Sequence, residues 1–243
     1  MTPPSYGYTP RRTRRPTHFV LLILAALIAT SGVSAQPAQQ PQQPQQPQQP
    51  QQPQQPQRPP DPTIAAADRG RILGSENAKL WMLIVSDFQC PFCKEWHDAT
   101  WSAIRSEYVD TGKLRVAYVN FPLGMHPNAR PAAIEAMCAS AQGKFWPVAD
   151  ALFRTQVRWK DLPAPRAFFD GIAASARLDA SARQACLAGT AIQSLIDADQ
   201  VRMSRAATTS TPTFFIGGSR LEGAHPIAQF RRVIDAELAG RRP

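Results

Sequence analysis

Cys90 and Cys93 stand three residues apart where a short apolar run gives way to a helical stretch. The run, Trp81-Met82-Leu83-Ile84-Val85, is bounded by charged and turn-forming residues, the pattern of a strand buried on both faces. Asp87-Phe88-Gln89 follow it, and the helical stretch continues from the cysteines to about Tyr108. Pro91 suits a first helical position, because the N–H it lacks would have no partner there. A helix N-terminus carries about half a positive charge and several unpaired N–H groups. A thiol seated there has its thiolate stabilised and becomes a nucleophile near neutral pH. Cys93 lies one turn on, on the same face, close enough to close a disulfide. Cys90 is therefore expected to be the attacking, more exposed sulfur and Cys93 the resolving one.

Other uses of such a pair fit less of the sequence. A structural disulfide at this spacing closes a tiny loop and removes little unfolded-state entropy. A metal site drawing on Cys90, Cys93 and His97 lacks an obvious fourth ligand. A c-type haem attachment needs histidine directly after the second cysteine, and Lys94 stands there.

The flanking pattern sets the fold class. Asp110-Thr111-Gly112-Lys113 makes a turn, and Leu114 to Phe121 reads as a second strand ended by Pro122. A helical region of about 85 residues follows, in which Ile134, Met137, Cys138 and Ala141 share one helix face. Phe145 to Phe153 and Ala164 to Ala176 read as further helices, and another carries Ile192, Leu195, Ile196 and Met203. The chain returns to β structure at Thr213-Phe214-Phe215-Ile216, turns at Gly217-Gly218 and continues through Arg220-Leu221, a hairpin signal. A last helix is expected to begin at Pro226, with Ile227, Phe230, Val233, Ile234 and Leu238 on one face. Strand, helix, strand, helical block, hairpin and helix in that order match an α/β core with a helical domain, approximately 123–208, inserted in its middle.

The first sixty residues are of a different kind. Arg11, Arg12, Arg14 and Arg15 precede an apolar run from Phe19 to Ala29, and small residues end at Val33-Ser34-Ala35. This is the three-part order of a secretory signal, with cleavage expected after Ala35. The alternative is an uncleaved membrane anchor through residues 19–33. Either outcome delivers the domain outside the cytosol, to the periplasm or cell envelope. Residues 36–60 hold fourteen Gln and nine Pro with a Pro-Gln-Gln repeat. Proline removes backbone donors and glutamine offers nothing to bury, so a disordered linker is expected, reaching about 75 Å if extended. The folded domain is then 61–243. The formal charge of +9 owes +4 to the four N-terminal arginines. Beyond Asp61 no run of Lys or Arg exceeds two, which argues against nucleic-acid binding.

With these residues in view, the chain resembles the DsbA-like branch of the thioredoxin superfamily. The resemblance covers nearly everything from Gly74 to Leu238. It rests on Ser86-Asp87-Phe88-Gln89-Cys90-Pro91-Phe92-Cys93, on His126-Pro127-Asn128-Ala129, on Gly143-Lys144-Phe145-Trp146, and on Thr211-Pro212-Thr213-Phe214 with Gly217-Gly218. It implies a thioredoxin-like α/β fold with an inserted helical domain, nucleophilic Cys90, resolving Cys93, and a cis-proline at Pro212 preceded by a substrate-binding Thr211. It implies as substrates reduced or misbridged exported proteins, with a membrane redox partner that recycles the enzyme and no cofactor. The alternative readings are an isomerase or reductase of the same fold and, in a different class, a metal-binding or metallochaperone module using Cys90, Cys93 and His97. One departure stands out: strong oxidants of this family resemble Cys-Pro-His-Cys, whereas Phe92 offers no charge or N–H to a Cys90 thiolate, so a milder oxidant is expected.

An even cysteine count in an exported chain favours pairing Cys138 with Cys186 in a structural disulfide. Two buried free thiols are the alternative. Asp87 is placed either to relay a proton to Cys93 or simply to end the strand. His126 and His225 each precede a proline and read as helix-entry residues. Trp96, Trp101 and Phe92 line a peptide groove or join the core.

Overall fold

The computed structural model describes residues 61–240. The expected signal or anchor (1–35, with the tether 19–33) and the Pro/Gln linker (36–60) lie outside the described residues. Along the chain come α1 (Pro62–Gly70), β1 (Ile72–Leu73), β2 (Leu80–Ser86) and a continuous helix α2 (91–109). After α2 come β3 (Leu114–Asn120), α3 (Ala129–Ser140), α4 (Phe145–Arg154), α5 (Gln156–Trp159), α6 (Arg166–Ser175), α7 (Ala180–Ala188) and α8 (Ala191–Arg205). The chain ends with β4 (Thr213–Ile216), β5 (Ser219–Glu222) and α9 (Ile227–Leu238). The helix α2 opens as Pro91–Trp96 and includes two π-helical stretches, His97–Trp101 and Arg105–Val109.

The five strands form one sheet in the order β1-β3-β2-β4-β5. β2 and β3 run parallel, from Leu80 opposite Leu114 to Ser86 opposite Asn120. Every other pairing is antiparallel. A parallel pair needs a crossover, and α2 supplies it. This is a thioredoxin-like mixed sheet, and the helices α3 to α8 sit between β3 and β4 in sequence.

Alternation in β2 and β4 decides where the core lies. Met82 and Ile84 point into the main cluster with Phe214 and Ile216, against Trp96 and Ile104 of α2 and Phe230 of α9. Val85, Val119, Phe121 and Met203 form a second cluster. Each such fully buried side chain contributes on the order of 2 kcal/mol. The expectation that β2 is buried on both faces holds for Ile84-Val85-Ser86 but not for its start. Trp81 is 40% exposed, and the Arg115 guanidinium lies over its ring at 4.8 Å.

Helix α3 is the hub of the inserted block, packing on α1, α4, α7 and α8, while α8 packs on β3. Two buried ion pairs tie these layers. Arg71 meets Asp199, which also accepts from the Asn120 N–H at 3.1 Å. Arg183 of α7 grips Glu135 of α3 with two bonds of 2.8 and 2.7 Å. Beside that pair, Cys138 and Cys186 form a disulfide with Cα atoms 5.8 Å apart.

Two details depart from expectation. α1 and β1 precede the first strand read from the sequence; their short, Ala-rich or two-residue stretches carry no apolar period to detect. Pro226 is extended (φ −69°, ψ 159°) and caps the last helix, which begins at Ile227. No side chain caps that helix start, so proline's preset φ serves one residue earlier than expected.

Candidate active site

The parallel strands β2 and β3 end side by side, and the chain leaves β2 through a tight turn built on Asp87. Its carboxylate accepts from the Gln89 N–H at 2.7 Å and the Leu123 N–H at 2.9 Å, and lies 2.7 Å from His126 Nδ1. The Cys90 N–H donates to the Asp87 carbonyl at 3.2 Å. This turn places Cys90 as the N-cap of α2, in extended conformation (φ −65°, ψ 126°), with Pro91 as first helical residue. An N-cap side chain faces the unpaired N–H groups of the first turn, and here that side chain is a sulfur.

The electrostatics separate the two thiols. The Cys93 thiol, the Thr211 hydroxyl and the N–H groups of Cys93 and Phe92 favour the Cys90 thiolate and hold its pKa at about 6, against the opposing effect of burial. Burial pushes the Cys93 thiol well up, and the adjacent Cys90 sulfur adds to that rise. Cys90 keeps a small accessible surface and Cys93 has none. The pair is unbridged in this structure. One sulfur is thus ionised at neutral pH and the other is held protonated one turn away, which is the arrangement for attack followed by resolution.

Across from Cys90 the Thr211–Pro212 peptide bond is cis. The Thr211 carbonyl oxygen lies 3.4 Å from the Cys90 sulfur. Beside the motif opens a groove of about 520 Å³ lined by Gln89, Pro91, Met125, His126, Pro127 and Leu162 among others. Met125 of its lining is 79% exposed, and Phe92, next to Pro91 in the chain, is 59% exposed.

The structure places the residues whose roles the sequence left open. The Asp87 carboxylate is engaged by Gln89, Leu123 and His126, so it braces the turn. His126 belongs to that brace, while the His225 carbonyl accepts from the Thr100 hydroxyl. Trp96 and Trp101 are core, and only Phe92 of the three aromatic candidates faces solvent. His97 presents its ring nitrogens to Asp98 and Asp150 at 3.1 and 3.0 Å.

Three polar residues that position the motif escaped sequence reasoning. Gln156 Nε2 donates to the carbonyls of Phe88 and Cys90 at 2.7 and 3.0 Å. Gln89 accepts from the Asn128 N–H at 2.6 Å and donates to the Lys160 carbonyl at 2.8 Å. Asn128 donates in turn to the carbonyls of Lys160 and Leu162. The inserted block therefore grips both sides of the turn that carries Cys90. Gln89 and Asn128 stand in the motifs quoted from the sequence with no positioning role assigned, and Gln156 shows there only as a lone glutamine beside Val157 and Trp159.

A mixed sheet of this order, a dithiol at a helix start and a cis-proline opposite it define a thioredoxin-like protein. Residues 66–236 match the family model described as thioredoxin (Thioredoxin_4), and the chain belongs to that family. A Na(+)/H(+) antiporter NhaA of Herminiimonas arsenicoxydans is 30% identical over 171 residues, covering 70% of this chain and 26% of the antiporter. The chain thus spans about a quarter of the length of such curated relatives. A probable disulfide bond formation protein D of Bacillus anthracis is 32% identical over 85 residues, 35% of this chain and 39% of that protein. The crystal structure of Wolbachia pipientis alpha-DsbA1 superposes with a TM-score of 0.62 at 23% identity, covering 70% of this chain and 91% of that one. That likeness establishes the shared fold.

Proposed function

We propose that this protein is an extracytoplasmic protein thiol–disulfide oxidoreductase that introduces disulfides into exported proteins, delivered by residues 1–35 and recharged by a membrane redox partner. Cys90 is the nucleophilic and substrate-linked sulfur, Cys93 the resolving one, and Thr211 with Pro212 the backbone against which an extended substrate lies. The observation that carries this reading is the geometry of the pair: Cys90 is the N-cap of α2 with its sulfur 3.4 Å from the Thr211 carbonyl before the cis Pro212, and Cys93 is fully buried one turn on. In the oxidised enzyme a substrate thiolate attacks Cys90, releasing Cys93. A second substrate thiol displaces Cys90, leaving the substrate bridged and the enzyme reduced. The similarity to a probable disulfide bond formation protein D of Bacillus anthracis supports the same direction.

The test is oxidation of a peptide with two cysteines by the pre-oxidised protein. Wild type is expected to bridge the peptide, Cys90→Ser to be inactive, and Cys93→Ser to accumulate a covalent mixed disulfide. A peptide oxidised no faster than by glutathione disulfide alone overturns the proposal. Trapping Cys90 with a thiol-specific mass tag in cells fixes the direction: mostly oxidised is expected, and mostly reduced identifies an isomerase or reductase.

A further inference from the structure

We propose that His126 is a catalytic base for the substrate thiol, its Nδ1 held by Asp87 and its Nε2 open to the groove beside Cys90. The inference rests on the oxidoreductase reading and concerns a proton that this reading leaves unassigned. An ordinary cysteine thiol is only a few per cent thiolate at neutral pH, so a substrate must lose a proton before it attacks. In the oxidised enzyme Cys90 and Cys93 are bonded to each other, and neither can accept that proton.

The approach to Cys90 is narrow. The residue is 3% exposed, the Thr211 carbonyl lies 3.4 Å from its sulfur, and Cys93 is fully buried one turn on. Its chain neighbours Gln89 and Pro91 both line the groove, and His126 lines it with them. The same carboxylate fastens the ring to the turn. One Asp87 oxygen accepts from the Gln89 N–H at 2.7 Å, and the other lies 2.7 Å from His126 Nδ1.

Those bonds decide which ring nitrogen is available. The Asp87 side chain is fully buried, and the oxygen beside His126 also accepts from the Leu123 N–H at 2.9 Å. An ionised carboxylate only accepts, so Nδ1 carries the hydrogen and the neutral ring keeps its lone pair on Nε2. Among the described residues no protein group binds Nε2, and the side chain is 16% exposed. Bracing Asp87 needs one donor, which an amide would supply; an imidazole adds a second nitrogen that titrates near neutral pH. A carboxylate behind an imidazole fixes its tautomer and its orientation.

The other polar groups of the groove are committed. Lys160 is paired with Asp161. The Gln89 amide serves the Asn128 N–H and the Lys160 carbonyl, and the Asn128 amide serves the carbonyls of Lys160 and Leu162. Among the described residues that line the groove there is no second imidazole.

Nε2 takes the proton of the first substrate thiol, and the resulting thiolate attacks Cys90. The substrate–Cys90 bond forms, the Cys90–Cys93 bond breaks, and Cys93 leaves with the electron pair and is protonated. His126 releases its proton to solvent and takes that of the second substrate thiol. The second substrate sulfur attacks the first, the substrate disulfide forms, and Cys90 leaves as a thiolate. The substrate loses two electrons and two protons. The enzyme keeps both electrons and gains one proton net, and the other goes to solvent.

The experiment treats pre-oxidised protein with either of two thiols in excess, quenches with acid, and follows loss of the Cys90–Cys93 bond by intact mass. One probe is a short cysteine peptide, mostly protonated at pH 7. The other is an aryl thiol, ionised at that pH and in no need of a base. His126→Gln keeps an amide donor for Asp87 and removes the base. The variant is expected to react with the peptide about tenfold more slowly than wild type at pH 7, a modest share of what positioned proton transfer supplies. With the aryl thiol it is expected to react within twofold of wild type. The peptide deficit is expected to close above about pH 9, where that thiol ionises unaided. Equal slowing toward both probes overturns the proposal and leaves His126 as a brace for the turn. A peptide rate within twofold of wild type, or a deficit unchanged above about pH 9, overturns it too. A wild-type Cys90–Cys93 bond that the probes reduce no faster than glutathione disulfide overturns the oxidoreductase reading instead.

Discussion

The Cys90 sulfur and the Thr211 carbonyl oxygen are 3.4 Å apart, although 121 residues separate them in the chain. The contact joins the start of α2 to the entry of β4; on the proposed function, that backbone is the one with which a substrate strand would pair. With the thiolate also favoured by Cys93, Thr211 and two N–H groups, Cys90 is expected to be alkylated with a half-maximal rate near pH 6. Cys93 is expected to stay unreacted until the protein is denatured. Mass-resolved alkylation across pH 4 to 9 reads both, and a Cys90 midpoint close to that of a free cysteine overturns the assignment.

The same shift makes the reduced form's stability depend on pH. Cys90 is depressed in the folded state, so its contribution is present in full above the unfolded value of 9.0 and declines as pH falls. Below about 6 both states are protonated and the contribution is gone. The bridged form has no such thiol. The melting temperature of reduced protein relative to oxidised protein is therefore expected to rise between pH 6 and pH 9. The raised pKa of Cys93 acts only above that window, where it lowers stability.

The site was legible where chemistry and local pattern coincide, and illegible where tertiary contacts decide. Cys90, Pro91 and Cys93 declare a helix start because a missing N–H and a nucleophile both belong there. The strands around Ile84 and Phe214 follow from short β-branched or aromatic runs bounded by turns. Gln156 was not readable, because a glutamine beside Val157 and Trp159 gives no sign that two carbonyls 66 and 68 residues upstream await it. Asp87 left two roles open for the same reason: its ligands Leu123 and His126 are more than 35 residues away. The start of β2 misled, since Trp81 looks like core in sequence and is instead covered by Arg115.

Phe92 gives the Cys90 thiolate only its backbone N–H, since its ring is turned to solvent. Phe92→His adds a donor that charges below neutral pH, and is expected to move the alkylation midpoint below the wild-type value of about 6. A further drop of about one unit corresponds to roughly 1.4 kcal/mol, or about 30 mV toward a stronger oxidant. Equilibration with glutathione measures it. An unchanged potential overturns the argument that Phe92 keeps the wild type mild.

The Cys138–Cys186 bond closes a loop of 48 residues across α3 and α7. In the chain-entropy model a loop of that length contributes about 4 kcal/mol. Replacing both cysteines with alanine is expected to lower the melting temperature by roughly 8–16 °C. Peptide oxidation by Cys90 is expected to persist at temperatures where the variant is folded. Thermal unfolding of the double variant without reductant reads the loss, and a shift under about 2 °C overturns the structural role.

Gln156 is the most informative residue for separating position from charge. Its amide is buried and gives both hydrogens to the carbonyls of Phe88 and Cys90. Gln156→Ala leaves those carbonyls unpaired, at a cost of about 1–3 kcal/mol each if they stay dry. Gln156→Glu keeps the shape but sets an acceptor against two acceptors, and any ionised fraction places negative charge beside the Cys90 turn. The expected order of stability is wild type above alanine above glutamate, with the glutamate variant recovering as pH falls and its carboxyl is protonated. Because a nearby negative charge opposes a thiolate, the alkylation midpoint of Cys90 is expected to rise above about 6 in the glutamate variant more than in the alanine variant. Equal midpoints in the two variants mean that Gln156 holds the backbone of the turn without touching the electrostatics of the sulfur.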